Sequence, residues 1–191
     1  PADPFRPYGV TIGHGFEWAR LSIQAHVMAW RAGLIPQAEI SRELALIAQS
    51  VRDGWAVDGA PGFIYTTDFD GTPITHERMH WVVCEALNAV VVAAGAIREL
   101  GSAGVSLAGL DLLDLPLRRW EAEWWAYARE FLIASPGHWR EELDRSNRLS
   151  ERTWTGMPEI YHAYQALVLR DGDYAVGFAR ATKEAAATRR G

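Results

Sequence analysis

Two histidines, His14 and His162, lie in the segments whose residue types and spacing could move protons. The first segment is Gly13-His14-Gly15-Phe16-Glu17-Trp18. Residues three and four apart share a helix face, so His14, Glu17 and Trp18 can project together. At a helix N-terminus the macrodipole disfavours an imidazolium, which keeps His14 able to accept a proton. Glu17, one turn on, either orients the ring or opposes that shift. A helix-capping histidine beside an incidental carboxylate would show the same spacing. The second segment, Gly156-Met157-Pro158-Glu159-Ile160-Tyr161-His162-Ala163-Tyr164-Gln165, starts a helix at Pro158 and puts His162 in its second turn. There it either faces a shared cavity or bonds a backbone carbonyl as a core histidine.

A third segment, Arg78-Met79-His80-Trp81-Val82-Val83-Cys84-Glu85-Ala86, embeds Glu85 in an apolar helix. An unpaired charge there costs on the order of several kcal/mol, so Glu85 requires a partner, either an arginine or a sugar hydroxyl. His80 can line the same cavity or satisfy a neighbouring loop. His14, Glu17, His80 and His162 are also metal-ligand types, but they are scattered over three helices and form no His-Glu-x-x-His motif. No metal is expected. Cys84, the only cysteine, sits among apolar neighbours, and no Gly-x-Ser-x-Gly elbow or Gly-rich phosphate loop occurs. Hydrolase chemistry is disfavoured, and no cofactor is implied.

Composition narrows the rest. The 191 residues are 49% hydrophobic and 23% charged with a net charge of -5, which is a globular balance without the basic stripe that nucleic acid needs. No linker divides the chain, so residues 1–191 read as one domain. No apolar run is expected to cross a bilayer and no leader opens the chain, so a cytoplasmic setting is the default. Nine tryptophans are a heavy aromatic load, suited to large helix cores and to stacking on sugar rings.

The elements that must position these residues are mostly helical. Helices are predicted over 14–34, 37–53 and 77–100, then from 115 through Phe131, from Pro158, and weakly from Tyr174. In the first, the stripe His14, Trp18, Leu21, Ala25 and Met28 is predicted to face inward. Residues 62–67 and 73–75 flank Asp70-Gly71 as a hairpin, and 139–144 could pair with 152–154.

Taken in order, three segments resemble the signature set of the N-acylglucosamine 2-epimerase superfamily. They are Arg6 through Ala19, Arg78 through Ala86, and Trp154 through Ala166, and the hairpin with Arg78-Met79-His80-Trp81 is similar to its mannose isomerase branch. The resemblance implies an all-α (α/α)6 barrel, with short β-hairpins in the active-site loops, of which this chain would be the C-terminal half. It implies aldose–ketose isomerisation through a cis-enediol, or 2-epimerisation, with His14 and His162 as the acid/base pair and Glu17 tuning His14. Arg6, Trp18, His80, Trp81 and Glu85 are the implied substrate-binding residues, with a small sugar as the partner. A non-catalytic carbohydrate- or protein-binding barrel is the remaining alternative. Ile12 stands where the family often has Pro, and Met157-Pro158-Glu159 where Lys-Pro-Asp is more usual. Half a barrel would expose inner helices, which calls for the N-terminal half or a second copy against them.

Overall fold

The computed structural model describes residues 8–105, 115–177 and Arg180. Five α-helices carry these residues: α1 (Ile12–Arg31), α2 (Ser41–Gly54), α3 (His80–Ser102), α4 (Leu117–Tyr127) and α5 (Tyr161–Asp171). A π-helical turn, Ala128–Leu132, prolongs α4. The strands are short: β1 (Val10–Thr11), β2 (Thr66–Thr67), β3 (Pro73–Thr75), β4 (Arg78–Met79), β5 (Ile133–Ser135), β6 (His138–Trp139) and β7 (Glu142–Leu143). The fold is thus predominantly helical. The predicted helix after Tyr174 falls largely outside the described residues, and 174–176 form a turn.

Helix α3 is the hub, with α1, α4 and α5 all packed on it and α2 bracing α1. It is long and apolar enough to cross a bilayer, contrary to the sequence reading. Most of its residues are buried against the other helices, from Val82 to Leu100, which makes it a core helix. Its start is later than predicted, at His80, because Arg78 and Met79 are taken up by β4. Helix α5 likewise begins at Tyr161, three residues after Pro158, because the Glu159 carboxylate accepts hydrogen bonds from the Tyr161 and His162 amides and caps the first turn.

The buried face of α1 is the reverse of the predicted one. Phe16, Ala19, Ile23 and Val27 enter the core, whereas Trp18 is 64% exposed and Leu21 and Met28 also face outward. Both faces of this helix are apolar, and periodicity cannot choose between two apolar faces. The apolar period over 37–53 picks out Ile40, Leu44, Ile47, Ala48 and Val51, of which the first four are buried, Ile40 just ahead of α2, and Val51 is partly buried.

The loops are organised by short antiparallel pairings. The predicted hairpin forms β2 and β3 around Asp70-Gly71, and β1 joins its other edge, pairing Val10 with Thr67. Residues 139–144 pair elsewhere than predicted: β7 lies against β4, with Arg78 opposite Leu143 and Met79 opposite Glu142. The amides of Arg152, Thr153 and Trp154 are instead taken by the buried Glu142 carboxylate, at 2.9–3.0 Å. A carboxylate with no access to water must collect such donors, and that demand overrides strand pairing.

A second buried polar knot fixes the loop ahead of β2. The Arg78 guanidinium is fully buried and donates to Asp58 at 2.6 Å, to the Pro61 carbonyl at 3.0 Å and to the His76 carbonyl at 2.8 Å. Gly62 lies against it with φ +116°, and a Cβ there would come within 2.6 Å of Arg78 Cδ and of the Tyr127 hydroxyl. Gly62→Ala should therefore cost about 2 kcal/mol, read as a fall in the urea or thermal midpoint. Gly101→Ala, which meets open space in the last turn of α3, should leave the midpoint unchanged or raise it.

Candidate active site

The first turns of α1, α3 and α5 converge on one cavity of about 510 Å³. It is lined by Thr11, His14 and Glu17 from α1 and its entry, by His80 and Trp81 from α3, and by Glu159 and His162 at the head of α5. Tyr65, Glu141, Trp154, Thr155 and Met157 complete the wall from the loops. Backbone ties set these ends in place: the Ile12 amide donates to the Tyr65 carbonyl, and the His80 amide to the Glu141 carbonyl, each at 3.1 Å. Three helix N-termini around one cavity present their positive ends to it, an environment that favours a developing anion.

Trp81 contacts both histidines of the sequence reading. Its ring centroid is 5.4 Å from that of His14 and 5.7 Å from that of His162. Gly13 permits this, because a Cβ on it would meet the indole at 2.3 Å. His14 is exposed to the cavity, and Glu17 lines the same wall without a hydrogen bond to it. The Glu17 carboxylate is thus near His14 but does not orient its ring here.

His162 is held from both sides. Its Nδ1 is hydrogen-bonded to the Glu159 carboxylate, and its Nε2 stands 3.7 Å from Glu85. Glu85 is wholly buried and its partner is Arg20, which donates from Nε at 2.9 Å and from Nη2 at 3.3 Å. Of the two partners the sequence left open, the arginine is the one present. Glu85 does not line the cavity, so it is placed behind His162 and not against a ligand. Arg20 in turn reaches Gln24, whose amide donates to the Tyr174 carbonyl at 2.7 Å.

His80 is fully buried, 3.3 Å from Glu159 through Nε2 and 3.5 Å from Glu141 through Nδ1. The first contact is a hydrogen bond and the second an ion-pair distance. Burial alone would lower the His80 pKa, but the two carboxylates outweigh it and push the group up to about 9. Partial burial works against ionised Glu159 too, yet His80 and His162 bring it down to about 2. Burial pushes the Cys84 thiol well up, which suits an inert core residue.

Of the residues singled out in the sequence, His14, Glu17, His80, Trp81 and His162 line the cavity together. Trp18 does not, since it projects from the exposed face of α1, and Arg6 lies outside the described residues. The sequence reading missed Arg20, Glu141, Glu142 and Glu159 as organising groups. Glu159 had a signal, being three residues before His162 on the same helix entry. Arg20 becomes visible only once the Phe16, Ile23 and Val27 face is known to be the buried one. Among the described residues, no group of three or more His, Cys, Asp or Glu side chains is arranged to hold a metal ion.

Against known proteins, the N-acylglucosamine 2-epimerase family profile matches residues 1–166. The chain belongs to the N-acylglucosamine 2-epimerase family. Among its relatives, a D-mannose isomerase from Thermobifida fusca is 40% identical over 169 residues, covering 86% of this chain and 37% of that protein. A D-mannose isomerase from Pseudomonas cannabina pv. alisalensis is 39% identical over 171 residues, covering 88% and 38% respectively. The chain thus spans little more than a third of the length of these relatives. A crystal structure of D-mannose isomerase shares the fold at a TM-score of 0.63 and 20% identity, over 85% of this chain and 37% of the other.

The two pKa shifts give this family member a defined pH window. Stability from His80, raised from 6.5 to about 9, is complete below 6.5 and is lost as the pH climbs through 9. Stability from Glu159, lowered from 4.5 to about 2, is present above 4.5 and is lost as the pH falls through 2. Urea unfolding followed across this range should show a maximum between these limits. His80→Asn should flatten the alkaline decline, which is bounded at about 1.4 kcal/mol per pH unit for one proton.

Proposed function

We propose that this chain carries the proton-transfer half of a sugar isomerase that interconverts an aldose and a ketose of the mannose/fructose type. The observation that carries the reading is the placement of His14 and His162 in one cavity, with ring centroids 5.4 Å and 5.7 Å from that of Trp81. A sugar lying across the indole would reach both imidazoles. One histidine takes the proton from C2 of the open-chain aldose, the carbonyl oxygen O1 gains a proton, and a cis-enediol forms. Loss of the O2 proton and delivery of a proton to C1 then give the ketose. The negative charge that builds on oxygen is met by the positive ends of three helices and by hydrogen-bond donors. Two imidazoles suit this chemistry because one can accept while the other donates.

His162 is held in place by Glu159 at Nδ1 and by Glu85 3.7 Å from Nε2, and its ring lines the cavity beside Trp81. We further propose that the chain forms the C-terminal half of an (α/α)6 barrel. The exposed Trp18, Leu21 and Met28 face of α1 would then meet the remainder of the protein. The length of the D-mannose isomerase relatives supports this reading.

Return of the proton to C2 on the opposite face would instead give 2-epimerisation, the activity for which the family is named. The full-length protein turned over with mannose in deuterated water separates the two. Deuterium at C1 of fructose is expected, deuterium at C2 with glucose formed would mean epimerisation, and no uptake would sink both. His14→Ala and His162→Ala should each lower turnover at least ~10²-fold, the scale of a lost general acid or base. Near-normal turnover in either variant would remove that residue from the mechanism.

A further inference from the structure

His80 opens α3 with its side chain wholly buried, yet it borders the cavity. Both ring nitrogens face carboxylate oxygens, Nε2 that of Glu159 at 3.3 Å and Nδ1 that of Glu141 at 3.5 Å. A carboxylate accepts hydrogen bonds and does not donate them, whereas a neutral imidazole carries a single N–H. A neutral ring would therefore turn a lone pair on one of the two carboxylates, and the imidazole itself is shut off from water that could screen the repulsion. Nε2 is hydrogen-bonded to Glu159, while Nδ1, buried and without a hydrogen bond, lies at ion-pair distance from Glu141, an arrangement that favours a proton on both nitrogens.

Glu159 is the second part of the arrangement. Its carboxylate caps the Tyr161 and His162 amides and also engages Nδ1 of His162. Ionised, it is purely an acceptor for that nitrogen, whereas protonated it would also carry a competing O–H donor, and the His80 ring is held 3.3 Å away. We propose that His80 is a standing imidazolium, a positioning residue that clamps Glu141 and Glu159 from either side and keeps Glu159 a pure acceptor for the Nδ1 proton of His162. This gives His80 a different task from binding sugar, and it acts through His162.

The groups facing this cation are few, and the positive end of α3, which opposes the charge, is set against two carboxylates. Glu141 comes from the loop between β6 and β7, Glu159 from the entry to α5, and His162 from α5, its ring centroid 6.5 Å away. Behind His162, Glu85 is already matched by Arg20. Carboxylates alternate with nitrogen-bearing side chains along Arg20, Glu85, His162, Glu159, His80 and Glu141. Removing the His80 charge deletes a cation from the neighbourhood of His162 and should make that ring easier to protonate.

The effect on turnover rests on the reading of His162 as a proton carrier, whereas the charge state of His80 does not. Two measurements on the full-length protein keep them apart. With ¹⁵N-labelled histidine, the His80 ring, assigned by its disappearance in His80→Gln, should show two N–H groups near neutral pH. In Glu159→Gln its titration point should fall by at least about one unit. A neutral His80 tautomer in the unsubstituted protein overturns the proposal whatever the variants do. In the isomerase assay, the acidic limb of kcat/KM should move up by about one pH unit in His80→Gln and stay near its original place in His80→Lys, which restores a cation. An unmoved limb in a folded His80→Gln protein would also overturn it. If the unsubstituted protein isomerises no sugar, the functional reading fails, and the nitrogen spectrum still decides the state of His80.

Discussion

A carboxylate cannot be left alone among packed helices, and Glu85 is completely enclosed in the one helix that every neighbour leans on. Its pairing with Arg20 joins α3 to α1 about one turn beyond Trp81 and about two turns beyond His14. Breaking such a buried pair by deleting one member typically costs about 3–5 kcal/mol, so the register between the two helices has little freedom to slip. Trp81 and His14 therefore meet because a charge deeper in the interface holds the helices level. Close approach at Gly13 supplies the remaining tolerance. The same Glu85 stands behind His162, so a single buried carboxylate relates the three helices whose ends enclose the cavity.

From that pair outward, order is passed along by carboxylates alternating with nitrogen-bearing side chains. Arg20 satisfies Glu85, Glu85 backs His162, Glu159 holds the other side of His162, and His80 lies between Glu159 and Glu141. Each member would be expensive to bury singly, and each is tolerated because its neighbours have the opposite sign or can adopt it. The loops join through the same logic. Glu141 and Glu142 are adjacent in sequence but face different demands, one reaching His80 and the other gathering the amides of 152–154. That division places Trp154 and Thr155 on the cavity wall with little regular secondary structure to hold them.

Much of this was legible in the sequence, and the failures are instructive. The positions of α1, α2 and α3 follow from apolar period and breakers, and the hairpin around Asp70-Gly71 follows from turn chemistry. His14, Trp81 and His162 were readable as a set because their segments occur in a recognisable order. The buried face of α1 was not readable. Trp18, Leu21 and Met28 form as good an apolar stripe as Phe16, Ile23 and Val27, and only the position of Arg20 opposite Glu85 separates them. The partner of β7 was hidden for a related reason: strand pairing there is decided by where a buried carboxylate finds donors, and propensity does not encode that. Trp18 drew attention through its spacing from His14, but a helix turns away from a cavity within its first two turns.

The same rotation explains why the reactive groups crowd into first turns. Side chains further along the packed faces of α1, α3 and α5 are enclosed by the packing on α3, so on those faces the leading residues are the ones that reach the cavity. Those leading residues also have unpaired backbone amides, which either take a carboxylate, as Tyr161 and His162 take Glu159, or remain available to an anion. A cavity built from three helix starts therefore combines two properties that usually conflict. It is lined by polar and charged side chains, and it is anchored by a hydrophobic hub. On the proposed reading, dipoles fixed in this way need no rearrangement as charge develops during proton transfer.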